Sequence, residues 1–169
     1  MTVKIGDRVP DAVLRESREF GEACPLAPEP VNVVEALKGR TVAVFGLPGA
    51  YTPTCSAKHV PGFMQHMDEL KAKGVDEVWC VAVNDAFVMA AWGRDLNAFG
   101  TIRFLGDGSA KWAAALGLTD DKTDIGMGMR MKRFSMLVKD GVITQLKWRK
   151  ALLSRFPTRR HCCSRWPDG

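Results

Sequence analysis

Continuous apolar runs alternate with helix-like segments along most of the chain. An apolar run of about 4–8 residues that is bounded by turn residues is typical of a strand covered on both faces of a sheet. The last two runs flank Asp140-Gly141, and an Asp-Gly between two strand patterns predicts a tight β-hairpin. The predicted strands are Thr41–Leu47, 78–83, 102–105, 134–138 and 142–146.

The segments between these strands predict helices. The longest covers 54–73, and Pro61 inside it should kink it, because proline lacks an N–H and crowds the preceding turn. Nearer the N-terminus, 11–22 suggests a hairpin or meander, and the proline-rich 24–30 suggests a loop. Strands and helices that alternate before a final hairpin predict an α/β domain with a mixed sheet. The other predicted helices are 32–38, 85–96 and 109–116.

The composition is that of one globular domain. The 169 residues are 46% hydrophobic and 25% charged, which is typical of a chain with its own core. The start lacks a basic stretch followed by an apolar one, and no window of about 18 residues is uninterruptedly apolar, so we expect no signal peptide and no membrane span. Five cysteines without framework-like spacing suit a reducing compartment. We therefore expect a cytoplasmic protein.

The net charge of +5 is concentrated at the C-terminus. Positions 147–169 hold seven of the 24 basic residues and one of the 19 acidic residues. Positions 1–146 therefore hold 17 basic and 18 acidic residues. A basic tail can bind polyanions through counterion release, but the nearly neutral body does not indicate a nucleic-acid-binding domain. We predict a domain over 1–146, a divergent basic tail over 147–169, and no nucleic-acid partner.

Cys55 is the first candidate for chemistry. It follows the strand predicted at Thr41–Leu47, where the helix over 54–73 begins. The positive end of a helix dipole favours a thiolate over a thiol, and only the thiolate is a nucleophile. A cysteine in such a place is also commonly a buried core residue, so its position alone leaves both interpretations open.

The residues around Cys55 carry a resemblance to a known family. Pro48, Thr52 and Cys55 fit the Pro-x-x-x-Thr-x-x-Cys signature of the peroxiredoxins. The blocks GLPGAYTPTCSAKHVPGF, GVDEVWCVAVNDAFVMAAW and MRMKRFSMLVKDG resemble the peroxiredoxin-5 or type II subfamily, and the similarity extends from about Lys4 to about Leu146. It implies a thioredoxin-like fold, with a central mixed sheet flanked by helices, and a peroxidase without a bound cofactor.

The resemblance also implies roles for four residues. Cys55 attacks a peroxide oxygen and becomes a sulfenic acid. The Thr52 hydroxyl accepts a hydrogen bond from the peroxide while it hydrogen-bonds the thiolate, and Pro48 shields the site. Arg133 supplies a permanent positive charge. Without the resemblance, Thr52 would be interpreted as a turn residue, and Arg133, close to Lys132 and Arg130, as a surface charge.

The substrates implied by the resemblance are hydrogen peroxide and small alkyl hydroperoxides, and the recycling step is more open. Cys80 matches a second cysteine of the plant type II enzymes, but its place inside the strand at 78–83 favours a core residue. A disulfide needs Cα atoms within about 7 Å, so a buried Cys80 would require local unwinding. Cys162 and Cys163 are weaker candidates. We expect one-cysteine recycling by glutathione with glutaredoxin, or by thioredoxin.

The histidines do not predict a metal site. His59 and His66 are seven residues apart on nearly one face of the predicted helix, without a further ligand at a suitable spacing. The run His161-Cys162-Cys163 is too short to indicate a defined site.

Two apolar segments predict packing or association. The methionine-rich segment 126–134 is interpreted as packing or as a mobile wall of the substrate pocket. Phe87 and Trp92 are expected to expose apolar surface. In the resembled subfamily, a similar surface contributes to a compact dimer, so we expect a homodimer.

From Lys147 the sequence departs from the family pattern. Family members usually continue with Asn-Val-Glu and an acidic amphipathic helix. Loss of one nucleotide from codons for Leu-Asn-Val-Glu-Glu yields Leu-Lys-Trp-Arg-Lys, which is the sequence at 146–150. We interpret the tail as a frameshift, with a natural divergent tail as the alternative.

Two further functions remain open from the sequence. A redox sensor would be oxidised at Cys55 and pass the oxidation to a partner protein, and its first step is that of the enzyme. A disulfide reductase would suit a thioredoxin-like scaffold, but the chain has no Cys-x-x-Cys, and that chemistry needs two closely placed thiols. Thr52, Cys55 and Arg133 together favour the peroxidase.

Overall fold

The computed structural model describes residues 1–148, so the predictions for 149–169 lie outside the described residues. The strands are β1 Val13–Glu16, β2 Glu29–Asn32, β3 Thr41–Leu47, β4 Glu77–Ala82, β5 Arg103–Gly106, β6 Thr119–Lys122, β7 Gly128–Met131, β8 Phe134–Lys139 and β9 Val142–Trp148. The helices are α1 Val33–Leu37, α2 Val60–Gln65, α3 Met67–Ala72, α4 Ala86–Asp95 and α5 Lys111–Leu116, with a π-helical turn Cys55–His59 and a 3-10 turn Thr123–Ile125.

Seven strands form the central sheet, in the order β2-β1-β5-β4-β3-β8-β9. The neighbours β3, β4 and β5 run parallel, whereas β8 and β9 continue one side of the sheet antiparallel and β1 and β2 the other. The predicted α/β class with a mixed sheet is thus confirmed. The loops that leave the carboxyl ends of the three parallel strands meet at one edge of the sheet, which is where such folds bind ligands.

Alternate side chains of β3 pack into two cores, one on each face of the sheet. Val42 and Val44 belong to the core that includes residues of α1 and α5. Phe45 and Leu47 belong to the core beneath α2, α3 and α4, and Cys55 lies in this second core. The cysteine is therefore held by the packed interior rather than by an exposed loop.

A close approach between β3 and β8 fixes the position of Arg133. The strands run antiparallel, so Phe134 at the start of β8 pairs with Gly46 near the end of β3. A Cβ at Gly46 would lie 2.1 Å from the Phe134 ring and 2.7 Å from the Met131 sulfur, so no larger residue fits without displacing the core. Arg133 directly precedes Phe134 and is thereby brought to the edge where the loop after β3 begins.

The helix predicted over 54–73 is interrupted twice. Ahead of Pro61 the chain widens into the π-helical turn, in which the N–H of Val60 bonds to the carbonyl of Cys55. This wider turn takes the place of the predicted kink, because the proline ring crowds the turn before it. The second interruption is at His66, where the backbone leaves helical geometry (φ −106°, ψ 13°), and no residue type in the sequence indicated it.

Strand pairing near the N-terminus differs from the prediction. The segment 11–22 contains the single strand β1, whose partner β2 starts at Glu29, inside the segment 24–30 that was predicted as loop. The prolines in that segment had argued against a strand. Pro30 is tolerated because β2 lies at the edge of the sheet, where one side needs no ladder hydrogen bonds.

The methionine-rich segment lies largely in a second, two-stranded sheet. β6 and β7 pair antiparallel there, and neither strand was predicted. Met131 is fully buried in the first core, which confirms packing as its role. Across residues 1–148, no helix has the length and apolar character needed to cross a bilayer.

A partly buried ionic cluster lies at the amino ends of the parallel strands, opposite the edge that holds Cys55. Arg103, the first residue of β5, donates to the carboxylates of Glu16 (2.6 Å) and Glu77 (2.9 Å). Glu16 is 5% exposed, and its carboxylate also accepts from Nε of the exposed Arg18 at 2.8 Å, so two arginines compensate its charge. Arg40 reaches Glu77 from the surface at 2.6 Å.

Removal of Arg103, whose side chain is 18% exposed, is expected to be more costly than removal of Arg40, whose side chain is 52% exposed. Arg103→Met should lower the free energy of unfolding by about 1.5–3 kcal/mol, because the buried Glu16 carboxylate then keeps only the exposed Arg18 as a partner. Arg40→Met should cost about 1 kcal/mol or less. Urea unfolding followed by circular dichroism measures both, and equal losses would contradict this account of the cluster.

Candidate active site

Cys55 and Arg133 are in direct contact at the carboxyl edge of the sheet. The Cys55 side chain is fully buried at the start of the helical segment that follows β3. Nη2 of Arg133 donates a hydrogen bond to Sγ of Cys55 at 3.3 Å. The guanidinium and the N-terminal end of the helical segment both place positive potential at the sulfur, where a thiolate would carry its charge.

The same guanidinium contacts His59, to which the sequence analysis assigned no role. Nη1 of Arg133 lies 3.0 Å from Nδ1 of His59. Because arginine carries donors only, we assign Nδ1 as the acceptor and the imidazole proton to Nε2. Burial, and after it the charge of Arg133, lower the pKa of His59 to about 3, so the ring is neutral near pH 7.

Hydrogen bonds hold the loop that connects β3 to the helical segment. Asn84, which follows β4, accepts from the N–H of Ala50 at 3.0 Å. The Thr52 hydroxyl donates to the carbonyl of Gly49 at 2.8 Å, and the Thr52 carbonyl accepts from the N–H of Ser56 at 3.1 Å. The hydroxyl proton of Thr52 thus goes to the loop itself rather than to the sulfur, and its oxygen keeps free lone pairs.

Arg130 supports this loop from β7, a role that the sequence did not reveal. Pro48 is partly buried where the loop leaves β3, and Gly49 after it is buried. A Cβ at Gly49 would lie 3.0 Å from Nη1 of Arg130. Arg130 donates to the carbonyls of Met127 (2.7 Å) and Val83 (3.2 Å). Arg130 therefore connects β7 by a hydrogen bond to the residue after β4, beside the loop that follows β3.

Comparison with known proteins settles the family. The Redoxin family model matches residues 4–151. Peroxiredoxin-2B of Arabidopsis thaliana is 44% identical over 142 residues, which cover 84% of this chain and 85% of its own. The chain belongs to the type II peroxiredoxins. It is a thiol peroxidase.

Solved structures confirm the thioredoxin-like fold of this peroxiredoxin. Reduced Prx3 of Vibrio vulnificus, solved in complex with H2O2, is 39% identical with a TM-score of 0.82 and coverage of 91% of this chain and 92% of its own. A Burkholderia cenocepacia protein with the provisional name thioredoxin reductase is 43% identical with a TM-score of 0.90 and coverage of 99% of both chains. Related Arabidopsis thaliana proteins carry chloroplastic and mitochondrial names, so family membership does not fix the compartment.

The second cysteine of interest, Cys80, is a core residue in this structure. It lies inside β4, is fully buried, and shares a core with Cys55. Burial, and after it the electrostatic coupling to Cys55, raise the pKa of the Cys80 thiol well above its ordinary value. A protonated thiol is a poor nucleophile. Cys24 is exposed, and Cys162 and Cys163 lie outside the described residues.

The prediction for Trp92 was wrong. Its side chain is 1% exposed, and its ring packs edge-on against Phe104. Its indole Nε1 donates to Oγ of Ser56 at 3.0 Å, so α4 holds the residue that follows Cys55. The exposure predicted for Phe87 is confirmed, at 46%.

The two histidines that had been considered as a pair have different partners. His59 accepts from Arg133, while Nδ1 of His66 lies 3.1 Å from the carboxylate of Glu69. Within residues 1–148, no group of three or more His, Cys, Asp or Glu side chains could hold a metal ion. The spacing of His59, four residues after Cys55, was the signal available in the sequence, because such residues are neighbours on a helix.

The neutral imidazole of His59 is expected to make stability depend on pH. The unfolded chain takes up a proton near pH 6.5, whereas the folded protein leaves His59 neutral down to about pH 3. The contribution of His59 to stability is therefore complete above about pH 6.5 and is lost as the pH falls towards 3. The difference in unfolding free energy between wild type and His59→Asn should shrink by up to about 1.4 kcal/mol per pH unit between about pH 6 and pH 4. Urea titrations across that range measure it, and a constant difference would be evidence against a depressed pKa.

Proposed function

We propose that Cys55 is the residue that reduces peroxide and that Arg133, Thr52 and Pro48 complete its site. The observation that carries this proposal is the hydrogen bond of 3.3 Å from Arg133 to the Cys55 sulfur. Partial burial of the guanidinium costs desolvation energy, and a neutral thiol would compensate it only weakly at Nη2. Against a thiolate, the same contact is a charge-assisted hydrogen bond. A cysteine that served only to fill the core would need no cation beside it.

The reaction moves negative charge from sulfur to oxygen. The thiolate attacks the terminal oxygen of the hydroperoxide, an S–O bond forms as the O–O bond breaks, and the attacked oxygen keeps its hydrogen. Cys55 is oxidised to a sulfenic acid, and the other oxygen leaves as hydroxide or alkoxide and takes a proton to become water or an alcohol. Arg133 has five N–H donors in one plane, so it is suited to stabilise charge on both the attacking sulfur and the leaving oxygen.

Thr52 and Pro48 act on the bound peroxide. Because the Thr52 proton is directed to Gly49, its oxygen is an acceptor for the peroxide O–H, which orients the substrate. Pro48 has no N–H to compete for the peroxide and fixes the start of the loop. The backbone N–H of Cys55 at the helix start adds a donor near the leaving oxygen. Hydrogen peroxide and small alkyl hydroperoxides are the proposed substrates.

An external thiol completes the proposed cycle. Glutathione with glutaredoxin, or thioredoxin, attacks the sulfenic acid, which forms a mixed disulfide and releases water, and a second thiol then restores Cys55. The support for one-cysteine recycling is the position of Cys80 inside the core as a protonated thiol. Cys80 would become a resolving cysteine only after the helical segment opened.

The remaining parts of the proposal concern organisation. A homodimer is supported by the exposed apolar ring of Phe87 on α4. We keep the division into a peroxiredoxin domain over 1–146 and a divergent tail over 147–169, interpreted as a frameshift, although β9 continues to Trp148. The proposed location is the cytoplasm.

Substitution of Cys55 tests the proposal directly. Cys55→Ser should abolish fast oxidation by H2O2 and labelling by a sulfenic-acid reagent, because serine provides no thiolate. Cys24→Ser, which removes an exposed thiol, is the matched control and should react like the wild type. Stopped-flow fluorescence is a suitable measurement because Trp92 contacts the residue after Cys55. Fast oxidation that persists in Cys55→Ser would overturn the assignment.

The same preparations distinguish an enzyme from a sensor and test recycling. With glutathione and glutaredoxin, or with thioredoxin, the wild type and Cys80→Ser should both consume many equivalents of H2O2. Loss of turnover in Cys80→Ser, with the first oxidation unchanged, would show that Cys80 is the resolving cysteine. A single equivalent consumed with every reductant would favour the sensor.

Loss of the Arg133 charge should slow the first oxidation strongly. Arg133→Met removes a donor to the reacting atoms, and such losses cost about 10²–10³ in rate. Lys132→Met is the matched control, since it removes one positive charge at the position directly before Arg133. The Lys132 ammonium lies 5.7 Å from the centre of the Trp148 ring. Equal rates for the two variants would mean that Arg133 contributes no more than long-range charge.

A further inference from the structure

The guanidinium of Arg133 has two anchors in this site. Nη2 donates to the Cys55 sulfur at 3.3 Å, and Nη1 donates to Nδ1 of His59 at 3.0 Å. A planar group held at one nitrogen can still turn about that contact, whereas a group held at both terminal nitrogens cannot. The contact with His59 therefore decides which way the guanidinium faces.

The chain places both acceptors on one element. Cys55 and His59 open and close the π-helical turn, four residues apart and so neighbours on one face. The Arg133 side chain comes from the start of β8, across the end of β3. Because both acceptors belong to one helical turn, they bind the two terminal nitrogens of the guanidinium from the same side.

The His59 ring is itself held in place. Its centroid lies 5.6 Å from that of Phe45 and 6.0 Å from that of Phe63, with the ring edge-on to each. Both phenylalanines belong to the core that contains Cys55. This packing limits rotation of the ring and so directs the Nδ1 lone pair towards Arg133.

We propose that His59 is a positioning residue, whose neutral imidazole orients the Arg133 guanidinium so that Nη2 faces the Cys55 sulfur. The inference rests on the proposed role of Cys55 for its consequence in peroxide reduction. A neutral acceptor suits this task better than a carboxylate. A carboxylate would bind the guanidinium more tightly but would also offset the positive charge that stabilises the thiolate.

The depressed pKa of His59 agrees with this role. Burial and the neighbouring Arg133 hold its pKa at about 3, so Nδ1 keeps its lone pair through the physiological range. A protonated ring would have two donors and no acceptor, and it would repel the guanidinium.

Three substitutions separate orientation from packing and charge. His59→Asn places an amide oxygen close to the position of Nδ1 but lacks the ring. His59→Phe keeps an aromatic ring between Phe45 and Phe63 but has no acceptor. His59→Asp has nearly the shape of asparagine and adds a negative charge. The measurements are the rate of oxidation by H2O2, the rate of alkylation by iodoacetamide at one fixed pH, and urea unfolding.

The proposal predicts that the order of the His59 variants by oxidation rate will differ from their order by free energy of unfolding. His59→Asn should react within about threefold of the wild type although it is less stable, and His59→Phe should react about tenfold more slowly or worse although it is folded. His59→Asp should be slower than His59→Asn. If rates follow stability, if both His59→Asn and His59→Phe are equally slow, or if both react like the wild type, the positioning role is wrong.

The design also separates this inference from the proposed function. Alkylation needs no peroxide, so it reports on the contact between Arg133 and the Cys55 sulfur even if Cys55 is not the peroxidatic residue. Slow peroxide oxidation of the wild type, with fast alkylation, would contradict the proposed function alone. Should His59→Phe not fold, the pair His59→Asn and His59→Asp still gives a decisive ranking, because equal rates in that pair would overturn the neutral-acceptor argument.

Discussion

The contact between the Arg133 guanidinium and the Cys55 sulfur is the interaction on which this site depends. It joins residues 78 positions apart, so it exists only when β8 lies antiparallel beside β3. That pairing in turn requires the absence of a side chain at Gly46, where the Phe134 ring crosses the strand. A packing constraint inside the sheet thus determines the electrostatics of the cysteine. A thiolate in a buried position is stable only with such a partner, because burial alone favours the neutral thiol.

Each end of the parallel strands holds a partly buried arginine, and the two arginines have different partners. At the amino ends, Arg103 is paired with Glu16 and Glu77, so its charge is compensated by carboxylates within the protein. At the carboxyl ends, Arg133 meets a neutral imidazole and a sulfur atom. Its positive charge therefore remains available to the thiolate and to the oxygen that leaves. The first arrangement contributes to stability, and the second to reactivity.

Part of the fold and site could be predicted from the sequence because local signals were sufficient. The apolar runs of β3 and β4 and the Asp-Gly hairpin define most of the central sheet, and the signature around Cys55 identifies the family. β6 was missed, because Thr-Asp-Asp-Lys has no apolar alternation. Trp92 was misjudged because helical spacing does not show which face is covered. His59 could not be assigned, since its partner comes from a distant strand whose register no local pattern specifies.

The most direct test of this account is the rate of oxidation by H2O2 of Arg133→Lys beside the wild type. Lysine keeps the positive charge but lacks the planar pair of terminal nitrogens that binds Cys55 and His59 together. The account predicts oxidation at least about tenfold slower than in the wild type, in a protein of unchanged fold. A rate equal to that of the wild type would contradict it, because charge alone, without the orientation of the guanidinium, would then be enough to activate Cys55.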